Sequence, residues 1–528
     1  MTAARKHMTF ASAVWGAIPV RPALSCLRTA GAAACAAAVL SGCLTAPVGP
    51  DYKRPPVPLP DAWRIDVKEA ADVTNTDWWK SFGDPDLDDL IAAALAANSD
   101  LLIATARMEQ FNGKLEVSES HRFPQVGAEA GFERNFKSQE IPEELRPGQP
   151  TTYNVLKLGP DINFEFDFWG KVRRANEAAR ADLLSSEEAR HTVMLTVVTT
   201  VASNYIQLLE LDRELELARQ MLESLKKSLA LTDEKYRGGS ATLLSVAKVR
   251  AEVENEAAVI PQLERNVASS ENNLSKLIGR SPGPIKRGRI DQLVLAPVPS
   301  GVPSDVLTRR PDILAAEQNL VAANARIGVA KSQYFPSLPL TGFYGVSSDL
   351  SQYLFAVTAH SGFYDIDALL PVLSWGRISG QVREARAETK ENVFRYLQSV
   401  LVALQEINDA LTFNVDSKER AAALDRRVAA LLQVDQLMQA RFEGGQSTYL
   451  DVLDSDREVY TAESEQTQSI GDVYMSLISV YKAMGGGWMV EQDKQDKQRS
   501  AKTDAKAAAM SVPASVQVPA TIQAETVR

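Results

Sequence analysis

The sequence has few of the residues that metal, thiol or imidazole chemistry requires. Its 528 residues include only three cysteines and four histidines, and the histidines are scattered along the chain. Three cysteines cannot form a disulfide framework or a four-ligand metal site. The motifs of a phosphate-binding loop, Gly-x-x-x-x-Gly-Lys-Ser/Thr, and of a zinc protease, His-Glu-x-x-His, do not occur. The composition therefore predicts a protein that is not an enzyme and that needs no cofactor or metal.

An excess of positive charge is also missing, which excludes a further class of partner. The chain has 57 Lys and Arg residues against 67 Asp and Glu residues, so that its formal net charge is −10. Proteins that bind nucleic acids usually carry a basic patch or a basic net charge. We therefore expect no nucleic-acid partner.

The first 42 residues are basic and apolar, and they contain no acidic residue. Basic residues between Arg5 and Arg28 are followed by an Ala-rich run from Ala30 to Leu40. About a dozen apolar residues are too few for a permanent membrane helix, so this segment is typical of a secretory signal. Leu40-Ser-Gly-Cys43 resembles a bacterial lipobox, in which cleavage before the cysteine leaves a lipidated N-terminus. Cys43 would then be the only cysteine of the mature chain; the alternative is a plain signal peptide followed by an incidental cysteine.

Beyond the signal, we expect no run of roughly 18 apolar residues that could form a membrane helix. Only a β-barrel could then place the mature chain in a membrane, because open sheet edges are not tolerated in lipid. Leu44 rather than an aspartate follows Cys43. In bacterial lipoproteins this choice is typical of the outer membrane.

The chain contains a tandem duplication of a unit of about 200 residues. Early landmarks repeat at an offset of 212 residues and later ones at a constant offset of 206, so a loop between residues 132 and 169 must differ in length. The clearest matches are Phe123-Pro124 with Phe335-Pro336, Trp169-Gly-Lys with Trp375-Gly-Arg, Gly238-Gly239 with Gly444-Gly445, and residues 276–279 with 482–485.

Each unit has the same predicted order of elements: a helix, two strands, a long helix and a shorter helix. In the first unit, apolar and polar residues alternate over residues 126–132 and again over 162–168, which is the period of a β-strand. Aromatic and carboxylate side chains alternate in the second of these strands, as in a barrel wall that faces lipid on one side and a lumen on the other. An amphipathic hairpin on a soluble core is the alternative. The second unit repeats the apolar phase at Leu338, Leu340, Ala368, Leu370 and Val372.

Two long stretches predict unusually long helices. Residues 171–236 contain neither Pro nor Gly, and the copy at 377–442 is interrupted only by Gly380. Such helices would be about 100 Å long at roughly 1.5 Å per residue, and their apolar residues recur at three- and four-residue steps, as in coiled coils. We expect each to end at a Gly-Gly pair and to be followed by a return helix.

The strand count has a consequence for assembly. One chain offers four strands, whereas a closed membrane barrel needs at least about eight. The barrel must therefore be shared between chains, and the periodicity permits either two or three of them.

Taken together, these features resemble the TolC-like outer membrane factors, and in particular the lipoproteins of resistance-nodulation-division efflux systems. The resemblance covers residues 43–488 and rests on the duplication, on Trp-Gly-Lys/Arg after a strand, and on Arg-Arg-Pro-Asp-Ile-Leu, Ala-Lys-Ser-Gln-Tyr-Phe-Pro-Ser-Leu and Tyr-Lys-Ala-Met-Gly-Gly-Gly-Trp. It implies a mixed α and β fold in a homotrimer: a twelve-stranded transmembrane β-barrel, with four strands per chain, is continued by a long α-helical coiled-coil tunnel in the periplasm.

The function implied by this resemblance is a passive outer-membrane conduit for the export of small molecules and drugs. Its implied partners are outer-membrane lipid, a periplasmic adaptor protein and an inner-membrane efflux pump. The hairpin tips at Gly238-Gly239 and Gly444-Gly445 would contact the adaptor, because each lies a full long helix away from the predicted strands in sequence.

The resemblance also implies a channel gate just after the second tip. Leu450 would form an apolar constriction, and Asp451 and Asp454 would form acidic rings that prefer cations. Thr448-x-x-Asp451 also fits a helix capping box, which is the alternative role for Asp451. Phe442 and Ser447 stand where the family can have a tyrosine and an arginine that bond across protomers, so the leucine constriction is the expected closure.

These observations predict five segments: a lipoprotein signal peptide (1–42), a lipidated N-terminal segment (43–98), a first repeat with a Pro-rich linker (99–303), a second repeat (304–488) and a disordered C-terminal tail (489–528).

Two other functions are alternatives to efflux. A periplasmic coiled coil anchored only by lipid would leave the alternating strands unexplained. The exit duct of a type I protein secretion system would use the same fold, and the sequence alone does not separate it from efflux.

Overall fold

The computed structural model describes residues 47–57, 59–60, 63, 77–137, 151–296, 298 and 306–485. The predicted signal peptide, Cys43 and the predicted tail at 489–528 lie outside the described residues. The chain forms two compact units. The first contains the described residues up to Pro50, with His121–Arg174 and Gly328–Ile378; the second contains Asp51–Ser120, Ala175–Ile327 and the described residues from Ser379 onward.

The helices and strands follow the order that the duplication predicts. In chain order they are α1 (Pro85–Ala97), α2 (Ser99–Ser120), β1 (Gln125–Phe136), β2 (Thr152–Glu165), α3 (Lys171–Arg237), α4 (Leu243–Leu277), the single turn α5 (Val306–Arg309), α6 (Pro311–Ser332), β3 (Pro339–Ser348), β4 (His360–Ile366), α7 (Arg377–Glu443) and α8 (Tyr449–Ala483).

The four strands form one antiparallel sheet in the order β1-β2-β3-β4. The predicted number of four strands is therefore confirmed, but the predicted position of the fourth strand is wrong and the start of the second differs from expectation. Strand β2 begins at Thr152 rather than near residue 162. Strand β4 ends at Ile366, so Ala368, Leu370 and Val372 lie beyond it, and Leu369 alone makes an isolated bridge to Ser337. Pro371 lacks the N–H that would continue this ladder.

The long helices α3 and α7 each contain 67 residues, one more than the sequence predicts, and α7 continues through Gly380. The apolar stripe predicted for α3 is buried because it packs against the other helices of the second unit. Its central members, each no more than 1% exposed, are Met194, Val198, Val201, Tyr205 and Leu208.

The acidic residues Asp84, Asp86 and Asp88 mark the start of helix α1. Asp84 is the N-cap of α1, and its side chain accepts hydrogen bonds from the backbone N–H groups of Asp86 and Leu87. Its other carboxylate oxygen accepts a hydrogen bond of 2.6 Å from the hydroxyl of Tyr205. The cap therefore fixes α1 against the middle of α3.

The Arg-Arg-Pro-Asp-Ile-Leu motif has a structural role. The side chain of Arg310 is only 8% exposed and donates to carboxylates of Asp312 and Glu406 at 2.7 and 2.6 Å. It also donates to the backbone carbonyl of Ala483, the last residue of α8, at 3.0 Å. One buried guanidinium thus joins the start of α6 to α7 and to the end of α8.

Contrary to the expectation from the sequence, two stretches are apolar enough to cross a membrane by length and composition. They lie in residues 85–120 and 171–237, and each contains an 18-residue window of mean hydropathy 1.4. In α3, 61% of that window is buried within the protein. The core helix of a soluble protein passes the same test, so the hydropathy alone does not place either stretch in lipid.

Gly279-Arg-Ser-Pro-Gly283 has the residue spacing of the nucleophile elbow of α/β-hydrolases. That elbow requires a turn from a strand into a helix. Here the motif follows helix α4 and leads into an irregular segment, and Ser281 is exposed. The spacing therefore lacks the structural context that would make the serine a nucleophile.

Candidate functional site: the hairpin tips and the start of α8

The two Gly-Gly turns are built in the same way. Gly239 and Gly445 have φ angles of 77° and 74°, in the left-handed region that favours glycine. After α3, the N–H of Ser240 donates to the carbonyl of Lys235; after α7, the N–H of Gln446 donates to the carbonyl of Arg441, both at 2.8 Å. These are Schellman caps, which end each long helix and reverse the chain into the return helix.

The other glycine of each pair is less constrained. A Cβ built on Gly238 would lie 3.5 Å from the carbonyl oxygen of Glu234, and one on Gly444 would lie 3.5 Å from that of Ala440. Both distances are ordinary van der Waals contacts. A side chain at Gly238 or Gly444 would therefore project from the tip without strain in the turn.

A capping box starts α8. The Thr448 side chain accepts a hydrogen bond from the N–H of Asp451, and Oδ2 of Asp451 accepts from the N–H of Thr448 at 2.7 Å and from its hydroxyl at 2.8 Å. These hydrogen bonds lower the pKa of the Asp451 carboxyl. The capping role that the sequence offers as the alternative for Asp451 is therefore present in the structure.

The three gate candidates share one face of α8. Leu450 and Asp454 are four residues apart, one turn of helix, and Asp451 lies beside them. Leu450 is half-buried and both aspartates are exposed, whereas the intervening Val452 and Leu453 are buried. Leu453 packs in a core cluster with Met221, Leu225, Val249 and Val253. The gate face therefore points away from the core shared by α3, α4 and α8.

Asp454 has a basic neighbour, Arg457, three residues further along α8. A guanidinium nitrogen of Arg457 lies 3.8 Å from its Oδ1, and the two side chains are 58% and 72% exposed. Exposed pairs of this kind contribute little to stability. The pair does, however, place a positive charge one turn from the proposed acidic ring.

Contacts within the chain tie the second tip to the end of α3. The ammonium of Lys235 lies 4.1 Å from the centre of the Phe442 ring, and the rings of Phe442 and Tyr449 are 5.2 Å apart. The hydroxyls of Tyr449 and Ser228 are hydrogen-bonded. Phe442, for which the sequence predicts only the loss of a polar lock, thus takes part in a cation–π contact instead.

A pair of carboxyl groups joins α7 to α8 just beyond the gate face. Burial, and next a hydrogen bond with Asp435, raise the pKa of Asp456 to about 6. Asp435 also accepts hydrogen bonds from the hydroxyl of Ser455 at 2.5 Å and from the amide of Gln439 at 2.7 Å. Asp435 and Asp456 lie on different helices, so sequence spacing gives no sign of this pair.

No group of three or more His, Cys, Asp or Glu side chains that could hold a metal ion occurs among the residues that the structure describes. Asp451 and Asp454 lie on one face but do not converge with a third ligand there.

Similarity to known proteins identifies the fold and the family. The family model described as outer membrane efflux protein matches residues 90–280 and 302–486. The chain is 30% identical to the cation efflux system protein CusC of Escherichia coli strain K12, over 86% of this chain and 98% of that protein. It is 28% identical to the probable outer membrane lipoprotein SilC of Salmonella typhimurium, over 85% of this chain and 97% of that protein.

The solved structure of the outer-membrane channel OprN superimposes with a TM-score of 0.77, at 28% identity, over 84% of this chain and 99% of that one. The resemblance implies the fold of a trimeric channel with a β domain and a helical tunnel. This fold class is confirmed. These relatives also favour efflux over the type I secretion duct. This chain is an outer-membrane efflux channel protein, and it belongs to the outer membrane efflux protein family.

Proposed function

We propose that three copies of this chain form the passive exit duct of a tripartite system that exports small molecules. The single observation that carries the assembly is the sheet, which has four strands; within the part of the chain that the structure describes, its outer strands β1 and β4 each have one unpaired edge. Unpaired edges are not viable in lipid, and a closed barrel needs at least about eight strands. Three chains would supply twelve, as the family resemblance implies.

The role is conduction rather than catalysis. In such a system an inner-membrane pump selects the cargo and supplies the energy, and a periplasmic adaptor links the pump to the duct. The match of both repeats to the efflux family supports this role, as does the confinement of the acidic gate candidates to one face of α8.

A deletion strain tests this function. Loss of the gene should raise the accumulation of a fluorescent dye several-fold, and a plasmid copy should restore export. Deletion that leaves dye and drug accumulation unchanged but blocks release of a secreted protein would support the secretion duct instead.

We also propose that Cys43 carries the lipid anchor. Support comes from the backbone just after it: the N–H of Val48 donates to the carbonyl of Trp169 at 2.9 Å. A Cβ on Gly49 would lie 2.6 Å from the Cα of Gly328, so glycines allow this close approach. The chain is thus fixed near the end of β2 only five residues after Cys43.

Metabolic labelling with a fatty acid should tag the wild type and not Cys43→Ser; equal labelling of both would exclude acylation at this residue.

The hairpin tips are proposed to contact the adaptor. Gly238→Phe adds bulk at the first tip without strain in the turn, and it should lower crosslinking to the adaptor at least tenfold while trimers remain intact. Gly444→Phe tests the second tip in the same way, whereas substitutions at Gly239 or Gly445 also strain the cap. Gly283→Phe is the control, because Gly283 also has free space around it. Wild-type crosslinking in both tip variants would exclude contact there.

A further inference from the structure

A cavity of about 500 Å³ lies at the base of the sheet, inside the first compact unit. Its lining comes from the ends of β2 and α6, from the segments before β3 and after β4, and from the first residues of α3 and α7. Sites for drug-sized ligands usually have volumes of roughly 300–1,000 Å³. The cavity is therefore large enough for a small organic molecule, and neither the hairpin tips nor the gate candidates contribute a residue to it.

The cavity lies on the face of the sheet that carries carboxylates. Side chains alternate between the two faces of a strand, so Glu165 and Asp167 share one face, and Phe164, Phe166 and Phe168 share the other. Both carboxylates line the cavity, whereas only Phe166 of the three phenylalanines does so. In a membrane barrel the apolar face meets lipid and the polar face meets the lumen. The cavity would therefore lie on the export path.

One wall of the cavity is an aromatic pair that is fixed in place. The rings of Trp169 and Phe335 stack with their centres 4.7 Å apart and are inclined by 22°. The indole N–H donates to the backbone carbonyl of Pro336 at 2.7 Å, so the polar atom of this ring already has its partner. Phe335 and Leu369 are nevertheless 37% and 58% exposed. A planar ring could cover this apolar surface, and the wall is already ordered to receive it.

Both carboxylates of the lining have cationic partners close to them in sequence. The ammonium of Lys171 lies 2.9 Å from the carboxylate of Glu165. The carboxylate of Asp167 accepts hydrogen bonds from the N–H groups of Val172 and Arg173 at 3.1 and 2.9 Å, and it lies 3.4 Å from the Arg173 guanidinium. A cationic ligand would therefore have to compete with partners that these carboxylates already have.

The balance of charge instead favours an anionic group. The lining carries two carboxylates and two cations, Lys171 and Arg377, and Arg173 adds a third positive charge beside Asp167. Arg377 donates to the side-chain oxygen of Gln333, a neutral amide, at 3.1 Å. A guanidinium has five N–H donors in a planar fork that matches the shape of a carboxylate.

We propose that this cavity is a binding site for exported aromatic carboxylates. The ring of the cargo packs on the wall formed by Trp169 and Phe335, and its carboxylate accepts hydrogen bonds from Arg377. This inference rests on the proposed function and deepens it, because it names a class of cargo and a place where that cargo pauses. Binding is weak, since a conduit has to release whatever it holds.

A series of three ligands that differ in charge tests the site. Naphthoate, naphthamide and naphthylmethylammonium have the same ring with a negative, a neutral and a positive group. Their binding to purified full-length trimers can be measured by equilibrium dialysis. Naphthoate should bind about tenfold more tightly than naphthamide, since a hydrogen bond to a charged group contributes more than a neutral one, and the ammonium should bind most weakly. Equal affinities, or the reverse order, would overturn the proposal.

Two substitutions separate the contribution of charge from that of the ring. Arg377→Gln should lower the affinity for naphthoate about tenfold and leave that for naphthamide unchanged. Phe335→Leu should lower both affinities by the same factor. Arg386→Gln, which alters an exposed arginine of α7 outside the lining, is the control and should bind all three ligands as the wild type does. Wild-type binding of naphthoate to Arg377→Gln, or an equal loss of both ligands, would exclude the carboxylate contact.

A cysteine in the lining tests the place of binding. Ser337→Cys should react with a water-soluble thiol reagent in trimers, and naphthoate should slow this reaction several-fold. Ser240→Cys, exposed at the first tip, should react at the same rate with and without naphthoate, and the wild type gives the background from Cys43.

Absence of any reaction at Ser337→Cys would mean that a neighbouring copy or lipid fills the cavity, and absence of protection would mean that naphthoate binds elsewhere. Either result overturns the inference. The proposed function stands in both cases if the trimers conduct and the strain exports dye. It fails as well if wild-type trimers do not conduct and deletion of the gene leaves dye accumulation unchanged.

Discussion

Leu450→Ala is expected to raise the single-channel conductance of purified trimers in planar bilayers at least twofold. Leu450 lies on the face of α8 that points away from the core of its own chain, and it is half-buried. Around a threefold axis, three copies of this side chain would form a narrow apolar constriction. Removing three carbons from each widens it and lowers the cost of wetting the pore.

Asp454→Ala should also raise conductance, and it should weaken the preference for cations. The side chain is 72% exposed on the same face as Leu450, and like charges gathered around an axis repel one another. Arg457, 3.8 Å away, partly offsets this charge, so Arg457→Ala should strengthen the cation preference. Opposite shifts in selectivity from the two variants distinguish a charged ring from a mere change in width.

The duplication provides a matched control for both substitutions. Leu244, 66% exposed at the start of α4, is the copy of Leu450 in the first repeat. Leu244→Ala removes the same atoms from the other hairpin and should leave conductance unchanged. Closure would not depend on this face of α8 if Leu450→Ala and Asp454→Ala both kept the wild-type conductance. The same would follow if Leu244→Ala raised the conductance by an equal amount.

The elements that the sequence predicts best are those fixed by local interactions. A stretch without proline or glycine predicts α3. The first Gly-Gly pair predicts the cap of α3, and Thr448-x-x-Asp451 predicts the start of α8, because the hydrogen bonds in these caps span no more than five residues. The strand bounds are less well predicted. The first half of β2 has no strict alternation, and pairing with β1 and β3 determines where it begins.

The contacts that sequence reasoning misses join residues that are distant along the chain. Tyr449 and Ser228 are 221 residues apart, and the cation–π contact of Lys235 with Phe442 depends on the packing of α3 against the second tip.

The carboxyl pair Asp435–Asp456 predicts that closure depends on pH. Three side chains form hydrogen bonds with the pair: Ser224 of α3, Gln439 of α7 and Ser455 of α8. Below a pH of about 6, Asp456 is protonated and shares its proton with Asp435, so that α7 and α8 are joined close to the gate face. Above it, Asp456 loses this proton and with it the hydrogen bond to Asp435, so that the contact between α7 and α8 weakens.

The sign follows from linkage. The pKa of Asp456 is raised on folding, so the folded chain binds more protons than the unfolded chain between the ordinary carboxyl range and a pH of about 6. The stability that this proton provides is therefore fully present in acid and is lost as the pH rises through about 6. The α7–α8 contact should be tightest in acid and loosest near neutrality.

The fraction of time that a trimer spends in the conducting state should therefore rise several-fold between pH 5 and pH 7.5 in planar bilayers. Asp456→Asn keeps the shape of the side chain and a donor toward Asp435 at every pH, so the variant should remain as closed at pH 7.5 as the wild type is at pH 5. Glu458→Gln, which alters an exposed carboxylate of the same helix, is the control and should retain the wild-type pH dependence. If Asp456→Asn titrates as the wild type does, the proton that governs opening is not held by this pair.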